Sequence, residues 1–239
     1  MKKLLIRSVF LLGSFVLGSL AQAQMIGGSS SGMSTAMLKL FGKTTAFTAQ
    51  ADVRILDAAQ KESTTLTMST ALLEGKMRAE VDLNKMKSAQ LPPDAIGQMK
   101  QMGLDKMVTV VRPDKKLTYL IYPLSKAYVE MPMSKEEAAE SKMTTSVLGQ
   151  ETLDGHPCVK NKVTLTNEKG KKQEMTVWNA SDLKDFPIKM QMVEEGNNIT
   201  MQYKDIKFAK LDAKQFEPPA GFTKYENVQK LMMQKMTGQ

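Results

Sequence analysis

The sequence predicts a mainly β protein: a curved antiparallel sheet forming an incomplete, half-open barrel with short capping helices. Three observations predict it. Apolar and polar residues alternate over many segments, the signature of strands with one face buried and one in water. Turn-forming residues separate those segments at short intervals. The stretches with helical spacing are few and short, so they can cover a sheet but cannot form a layer of their own.

Taken in order, a short helix is expected from Thr35 to Phe41, stopped by Gly42. "AFTAQADVRI" then places Phe47, Ala49, Ala51, Val53 and Ile55 on one face and Thr48, Gln50, Asp52 and Arg54 on the other. "LTMSTALL" continues the period with Leu66, Met68 and Leu72. In "GKMRAEVDL", Met77, Ala79, Val81 and Leu83 oppose Lys76, Arg78, Glu80 and Asp82. The period changes at "LPPDAIGQMKQMG", where prolines open a helix, Ile96, Met99 and Met102 share a face, and Gly103 stops it. Strands resume at "KMVTVVRP", "KKLTYLIYP" and "KAYVEMP". "SKEEAAESKM" opens with a capping-box pattern, Ser134 and Glu137. Five further strands follow, separated by "LDG", "NEKG" and "EEGNN", and "TKYENVQKLMMQKM" suits an amphipathic helix. Roughly ten or eleven strands result, enough for a sheet to curl. Its apolar concave face then needs helical covers, and barrel mouths of this kind are common ligand sites.

The amino terminus reads as an export signal. Lys2, Lys3 and Arg7 precede an apolar run from Val9 to Leu20, and Ala21 and Ala23 supply small residues before a cut. The expected organisation is a signal peptide over 1–23, a flexible Gly/Ser leader over 24–34 and a single domain over 35–239, in a periplasmic or secreted protein. Cysteine is absent near the cut, which excludes a lipid-anchored mature terminus. Losing Lys2, Lys3 and Arg7 lowers the net charge from +8 to +5, spread among acidic residues. A nucleic-acid surface would need a basic stripe with interleaved aromatics, so that class is excluded. Transient contact with an anionic membrane surface or another envelope protein remains compatible with the charge. With a single cysteine there is no internal disulfide, and stability rests on the core.

"VTVVRPDKKLTYLIYPLSKAYVEMPM", Val108 to Met133, resembles the hairpins of periplasmic lipoprotein-carrier-like proteins. Further motifs resemble uncharacterised bacterial envelope proteins that share a domain of unknown function. They are Gly149 with Glu151, Trp178 followed by Asp182, Leu183 and Pro187, and Phe216, Pro219 and Phe222. That group is similar in architecture to the LolA/LolB carriers, which shuttle acylated lipoproteins in a half-barrel with helical lids. The resemblance covers Thr44 to Phe222 and implies a LolA-like fold that binds an apolar or acylated ligand without catalysis or cofactor. The candidate ligand-binding residues are then Met77, Val81, Ile188, Met190 and Met192 on the sheet, with Ile96, Met99 and Met102 under a lid.

Two features invite other chemistry. "DGHPC" holds the only histidine and the only cysteine, His156 and Cys158. Strand parity with Val159, Val163 and Leu165 puts both on the opposite face, beside Lys160 and Lys162 and towards water. A hydrolase would also need an oxyanion hole and a group orienting the base. The pair therefore reads as a turn histidine and an unpaired thiol. The 20 methionines raise Cu(I), since thioethers are soft ligands. Met190 and Met192 instead continue the parity of Ile188, and Met99 and Met102 complete a helix face, which suits an adaptable apolar lining. A metal-binding envelope protein and a ligand-free structural module are the alternatives to a carrier. Parity leaves the face of Trp178 unassigned.

The export signal makes a direct prediction. Intact-mass measurement of the exported protein should give a chain starting at Gln24, with no leader and no lipid on its terminus.

Overall fold

The structure is a computed structural model that describes residues 35, 37–89, 91–138 and 141–237. The expected signal and leader lie outside the described residues. The strands are β1 (Ala46–Leu56), β2 (Glu62–Leu73), β3 (Lys76–Asp82), β4 (Lys87–Ser88), β5 (Lys106–Arg112), β6 (Leu117–Tyr122) and β7 (Ala127–Pro132). They continue as β8 (Lys142–Leu153), β9 (His156–Thr166), β10 (Lys172–Ala180), β11 (Phe186–Glu194), β12 (Asn197–Lys207) and β13 (Thr223–Tyr225). Among the described residues the α-helices that accompany them are α1 (Pro93–Gln101), α2 (Lys135–Ala138) and, after β13, α3 (Val228–Thr237).

All strands join one 13-stranded sheet in the order β13-β7-β6-β5-β3-β2-β1-β12-β11-β10-β9-β8, with β4 paired to β2. The two end strands are not bonded to each other, so the sheet is curved and unclosed. Every pairing is antiparallel except one. The segment Thr223–Tyr225, expected to begin the terminal helix, lies parallel to Ala127–Val129 instead. The Thr223 N–H donates to the Lys126 carbonyl at 2.8 Å, and the helix waits until Asn227, whose Oδ1 accepts from the Lys230 N–H at 2.8 Å. Neighbouring β7 satisfies backbone groups that an isolated first turn would leave open.

Local chemistry explains the connections. Glu74-Gly75, Asp154-Gly155 and Glu195-Gly196 have positive φ at both residues, the backbone of tight two-residue hairpins that match strand twist. Helix α1 ends where Gly103 takes φ +68°, and a Cβ there would approach the Ser125 backbone nitrogen at 3.3 Å. The capping box forms reciprocally: Ser134 N–H donates to Glu137 Oε2 at 2.7 Å, and Glu137 N–H to Ser134 Oγ at 3.2 Å.

The inner face is set by β1, whose Phe47, Ala49, Ala51 and Val53 are all buried. Residues opposite them continue that face along both halves of the sheet, Leu72 and Leu66 on β2 and Tyr203 and Met201 on β12. Phe41 arrives from the helical segment ahead of β1 and meets Phe47 at 4.8 Å between ring centroids and Phe186 at 5.5 Å. Tyr203 closes the aromatic cluster at 5.5 Å from Phe186. At the far end α1 and α3 cover the inner face, where Leu231 and Met232 pack with Leu104, Leu120, Tyr122 and Val129.

The outer face is buried too over β5 and β6. Val108, Val110, Tyr119 and Ile121 pack there with Phe216, carried by the segment after β12. Arg112 locks that segment down. Its side chain is 7% exposed, pairs with Asp114 at 2.8 Å and with Glu217, and donates to the Phe216 carbonyl at 3.0 Å. Lys115 adds a 2.8 Å contact to Glu217.

The clamp predicts acid sensitivity. The hydrogen bond from Arg112 holds the Asp114 carboxyl below its usual range. Partial burial would raise that of Glu217, but bonds from Lys115 and Arg112 outweigh it and hold it low. Carboxyls depressed in the folded state add stability above their unfolded pKa of about 4, lost as pH falls through the folded values. Glu217→Gln should cost about 1 kcal/mol in urea unfolding at pH 7, solvent having trimmed a half-exposed pair, and nearly nothing at pH 2. Phe216→Ala, emptying a fully buried site, should cost about 3–5 kcal/mol. Tyr203 offers the opposite sign, since its buried hydroxyl finds no partner among the described residues. Tyr203→Phe should leave the thermal midpoint unchanged or raised, because it removes an orphaned polar group.

Candidate functional site

The expected binding residues fall on the inner face or on the helix covering it, but not in one place. Ile188, Met190 and Met192 are 2%, 0% and 6% exposed, inside the cluster that contains the four aromatic rings. Met77, opposite Leu72, packs half-buried on the same cluster. Val81, opposite Met68, belongs to a second cluster with Val53, Leu66, Leu83 and Met86. Met99 reaches from α1 to that cluster and to the one under α3, and Met102 packs on the latter. Ile96 is half-buried and outside these clusters. The interior around Met190 is therefore filled by side chains of the chain itself.

Between the packed regions runs a less covered strip. Met68, Ile199 and Met201 are half-buried and pack against both the aromatic cluster and the Val81 cluster. Ala79 and Met107 line the same face, also half-buried. Sequence reasoning passed over Ile199 and Met201, although the alternation Ile199, Met201, Tyr203 in β12 carried the signal. What the alternation could not show is that these residues bridge two clusters, because that depends on the pairing of β12 with β1.

A separate recess of about 840 Å3 lies where the β1–β2, β9–β10 and β11–β12 turns converge, lined largely from the outer face of the sheet. Thr176, Gln191, Val193 and Thr200 line it from the outer face of β10, β11 and β12, with Leu56 and Leu148 beside them. Lys162, Lys171, Lys172, Glu174, Glu194 and Glu195 surround them with charge. Lys162 and Glu174 are already paired at 2.8 Å. A polar and charged lining with Leu56, Leu148 and Val193 in it suits a polar molecule more than an acyl chain, and the volume lies in the range of small-molecule sites.

The His156–Cys158 pair is built differently from the expectation. His156 is partly exposed, as a hairpin residue should be, but Cys158 is 3% exposed and belongs to the aromatic core cluster. Parity holds for its face, since Cys158 lies opposite the outward Glu151 and keeps the alternation of Lys160, which faces Trp178. What differs is the cover, because Cys158 shares a cluster there with Trp178 and the half-buried Leu153 and Leu183. The Cys158 thiol donates to the His156 carbonyl at 3.3 Å rather than to its ring. Burial pushes the thiol up, away from the reactive thiolate. His156 Nδ1 lies 2.7 Å from Asp182 Oδ2, so the imidazole joins the hairpin to the turn after β10. The geometry is structural.

Trp178, whose face parity left open, is 4% exposed. Its ring lies between Lys160 and Lys189, with ammonium groups 5.0 and 4.8 Å from the centroid, and its indole N–H donates to Glu151. These contacts bury an aromatic beneath aliphatic lysine stems on the outer face. Among the described residues no group of three or more His, Cys, Asp or Glu side chains is placed to hold a metal, and no helix is long and apolar enough to cross a membrane.

Solved structures offer distant likenesses. A LolA-superfamily protein from Nitrosomonas europaea aligns at 10% identity over 79% of this chain and 96% of its own, with a TM-score of 0.38. The lipoprotein LppX of Mycobacterium tuberculosis aligns at 9% over 84% and 98%, TM-score 0.39. A putative outer membrane lipoprotein-sorting protein domain from Vibrio parahaemolyticus aligns at 13% over 78% and 95%, TM-score 0.36. At such scores these alignments carry no argument about the site. No curated protein matches the sequence. Residues 58–186, more than half of the chain, match the domain of unknown function DUF4412, and the chain belongs to that family.

Proposed function

We propose that the protein is a non-catalytic envelope carrier or binder of an apolar or acylated molecule, held on the inner face of its sheet. One observation carries the reading: the strip of Met68, Ile199 and Met201 on the inner face, half-buried between two packed clusters. Methionine suits such a surface because its unbranched, polarisable side chain repacks around different apolar partners. Helix α1, resting on this face through Met99 and Met102, is the element placed to act as a cover. The export signal expected in the first residues supports a location in the periplasm or outside the cell, where acyl chains need shielding from water.

Transfer of an acyl chain from water onto the strip gains about 0.8 kcal/mol per buried methylene, less the costs of association and ordering, so micromolar affinity is expected. A fluorescent fatty acid titrated into the exported protein should report it. Met77→Asp and Met201→Asp, placing charge on the half-buried strip, should weaken binding at least about tenfold. Lys76→Asp, on the outer face of the same strand as Met77, should leave it unchanged. Organic extracts of natively purified protein should contain a lipid by mass spectrometry. A protein that takes up no acyl probe and carries no lipid would leave the structural-module reading in its place.

A further inference from the structure

We propose that the free edge of β8 is a homodimerisation surface, on which β8 of a second copy pairs antiparallel about a two-fold axis through Ser146. This does not rest on the ligand reading. β8 ends the sheet, is 12 residues long, and has no strand on its outer edge among the described residues. Almost nothing covers its faces either: only Gly149 and Leu153 are even partly shielded. Met143, Val147 and Leu148 are 39%, 68% and 54% exposed. Between Lys142 and Glu151 the strand carries no charge and no proline, the devices by which solvent-exposed edges avoid pairing. The opposite edge is unlike it. β13 has three residues, Lys224 on it pairs with Glu130, and α3 packs beside it.

The occupant is argued from register and charge. Lys142, Thr144 and Ser146 face outwards, opposite Thr166, Thr164 and Lys162 of β9, while Met143, Thr145 and Val147 face inwards. The register then shifts, leaving Leu148 as an extra residue, and Gly149 and Glu151 face outwards. Two such strands related by a two-fold axis through Ser146 set Thr145 against Val147, Thr144 against Gly149, and Met143 against Gln150. Leu148 of each strand stays unpaired, and every pair lies on a common face. The same register sets Lys142 of each copy directly opposite Glu151 of the other, on the outer face. A closed two-fold interface requires this kind of self-complementarity. Within one chain the two charges sit at opposite ends of the segment, roughly 30 Å apart at about 3.3 Å per residue, and cannot meet. Pairing would also run the inner faces of the two copies together, with Met143 and Val147 at the junction.

The test is sedimentation velocity of the exported chain over a concentration series, together with a cysteine cross-link. A reversible dimer is expected, and Lys142→Glu should raise its dissociation constant about tenfold by turning two attractive cross-strand pairs repulsive. Mixing Lys142→Glu with Glu151→Lys protein should favour the heterodimer. Residues facing each other across an antiparallel pair have Cα atoms about 4.5–5.5 Å apart, within disulfide reach. Ser146→Cys should therefore oxidise to a covalent dimer, while Thr152→Cys and the wild-type chain, whose Cys158 is buried, should not. Circular dichroism checks that each variant is folded. A strictly monomeric wild type, or a dimer that Lys142→Glu leaves intact and Ser146→Cys fails to cross-link, would overturn the proposal.

Discussion

The pairing of β1 with β12 is the constraint on which the rest of the molecule depends. It joins residues 46–56 to residues 197–207 and turns two meanders, β2 to β7 and β8 to β11, into one sheet. The pairing holds because Phe47 and Tyr203 lie on the same inner face and meet Phe41 and Phe186 there. Such contacts between ring edges and faces add specific geometry to the burial of large apolar area. The segment matched to the DUF4412 family, residues 58–186, stops short of both strands. The family match thus spans β2 to β10 and only the first residue of β11, and the pairing of β1 with β12 makes the meanders one unit.

Unequal burial of the two faces follows from that frame. Where β1 and β10 to β12 curve round the aromatic cluster, the outer face carries lysines, threonines and glutamines, with Trp178 buried among them. Over β5 and β6 the outer face carries Val108, Val110 and Ile121, too apolar to leave in water. The chain returns after β12 to cover it with Phe216, and Arg112, Asp114, Lys115 and Glu217 hold the return segment by charge-assisted bonds. A buried arginine here is stabilising only because both carboxylates and a carbonyl meet it; alone it would be a penalty.

The same economy of covers shapes the candidate site. Elements ahead of β1 fill the inner face at one end, and α1 with α3 fill it at the other. The half-buried methionines lie between the two sets of covers. Met190 and Met192, which alternation placed on the binding face, are on that face but beneath a cover. The position of a residue along a strand fixes which face it takes, not whether another element lies above it.

The sequence by itself determined the fold class, most strand positions, the capping box at Ser134 and Glu137, the stop at Gly103 and the inner parity of Met77, Val81 and Met190. All of these are local. Period-2 alternation, glycine at positive φ and i to i+3 side-chain reach depend on residues close along the chain. The tertiary structure alone decided that Cys158 is buried, that Thr223–Tyr225 is a parallel strand, that Trp178 lies between two lysines, and that β8 ends the sheet. Each depends on a partner far away in sequence: Trp178 and Leu183 in the cluster that buries Cys158, a β7 edge with free carbonyls, lysines on two neighbouring strands, or an order of strands. Alternation has no term for such partners, because it says which way a side chain points and nothing about what stands opposite.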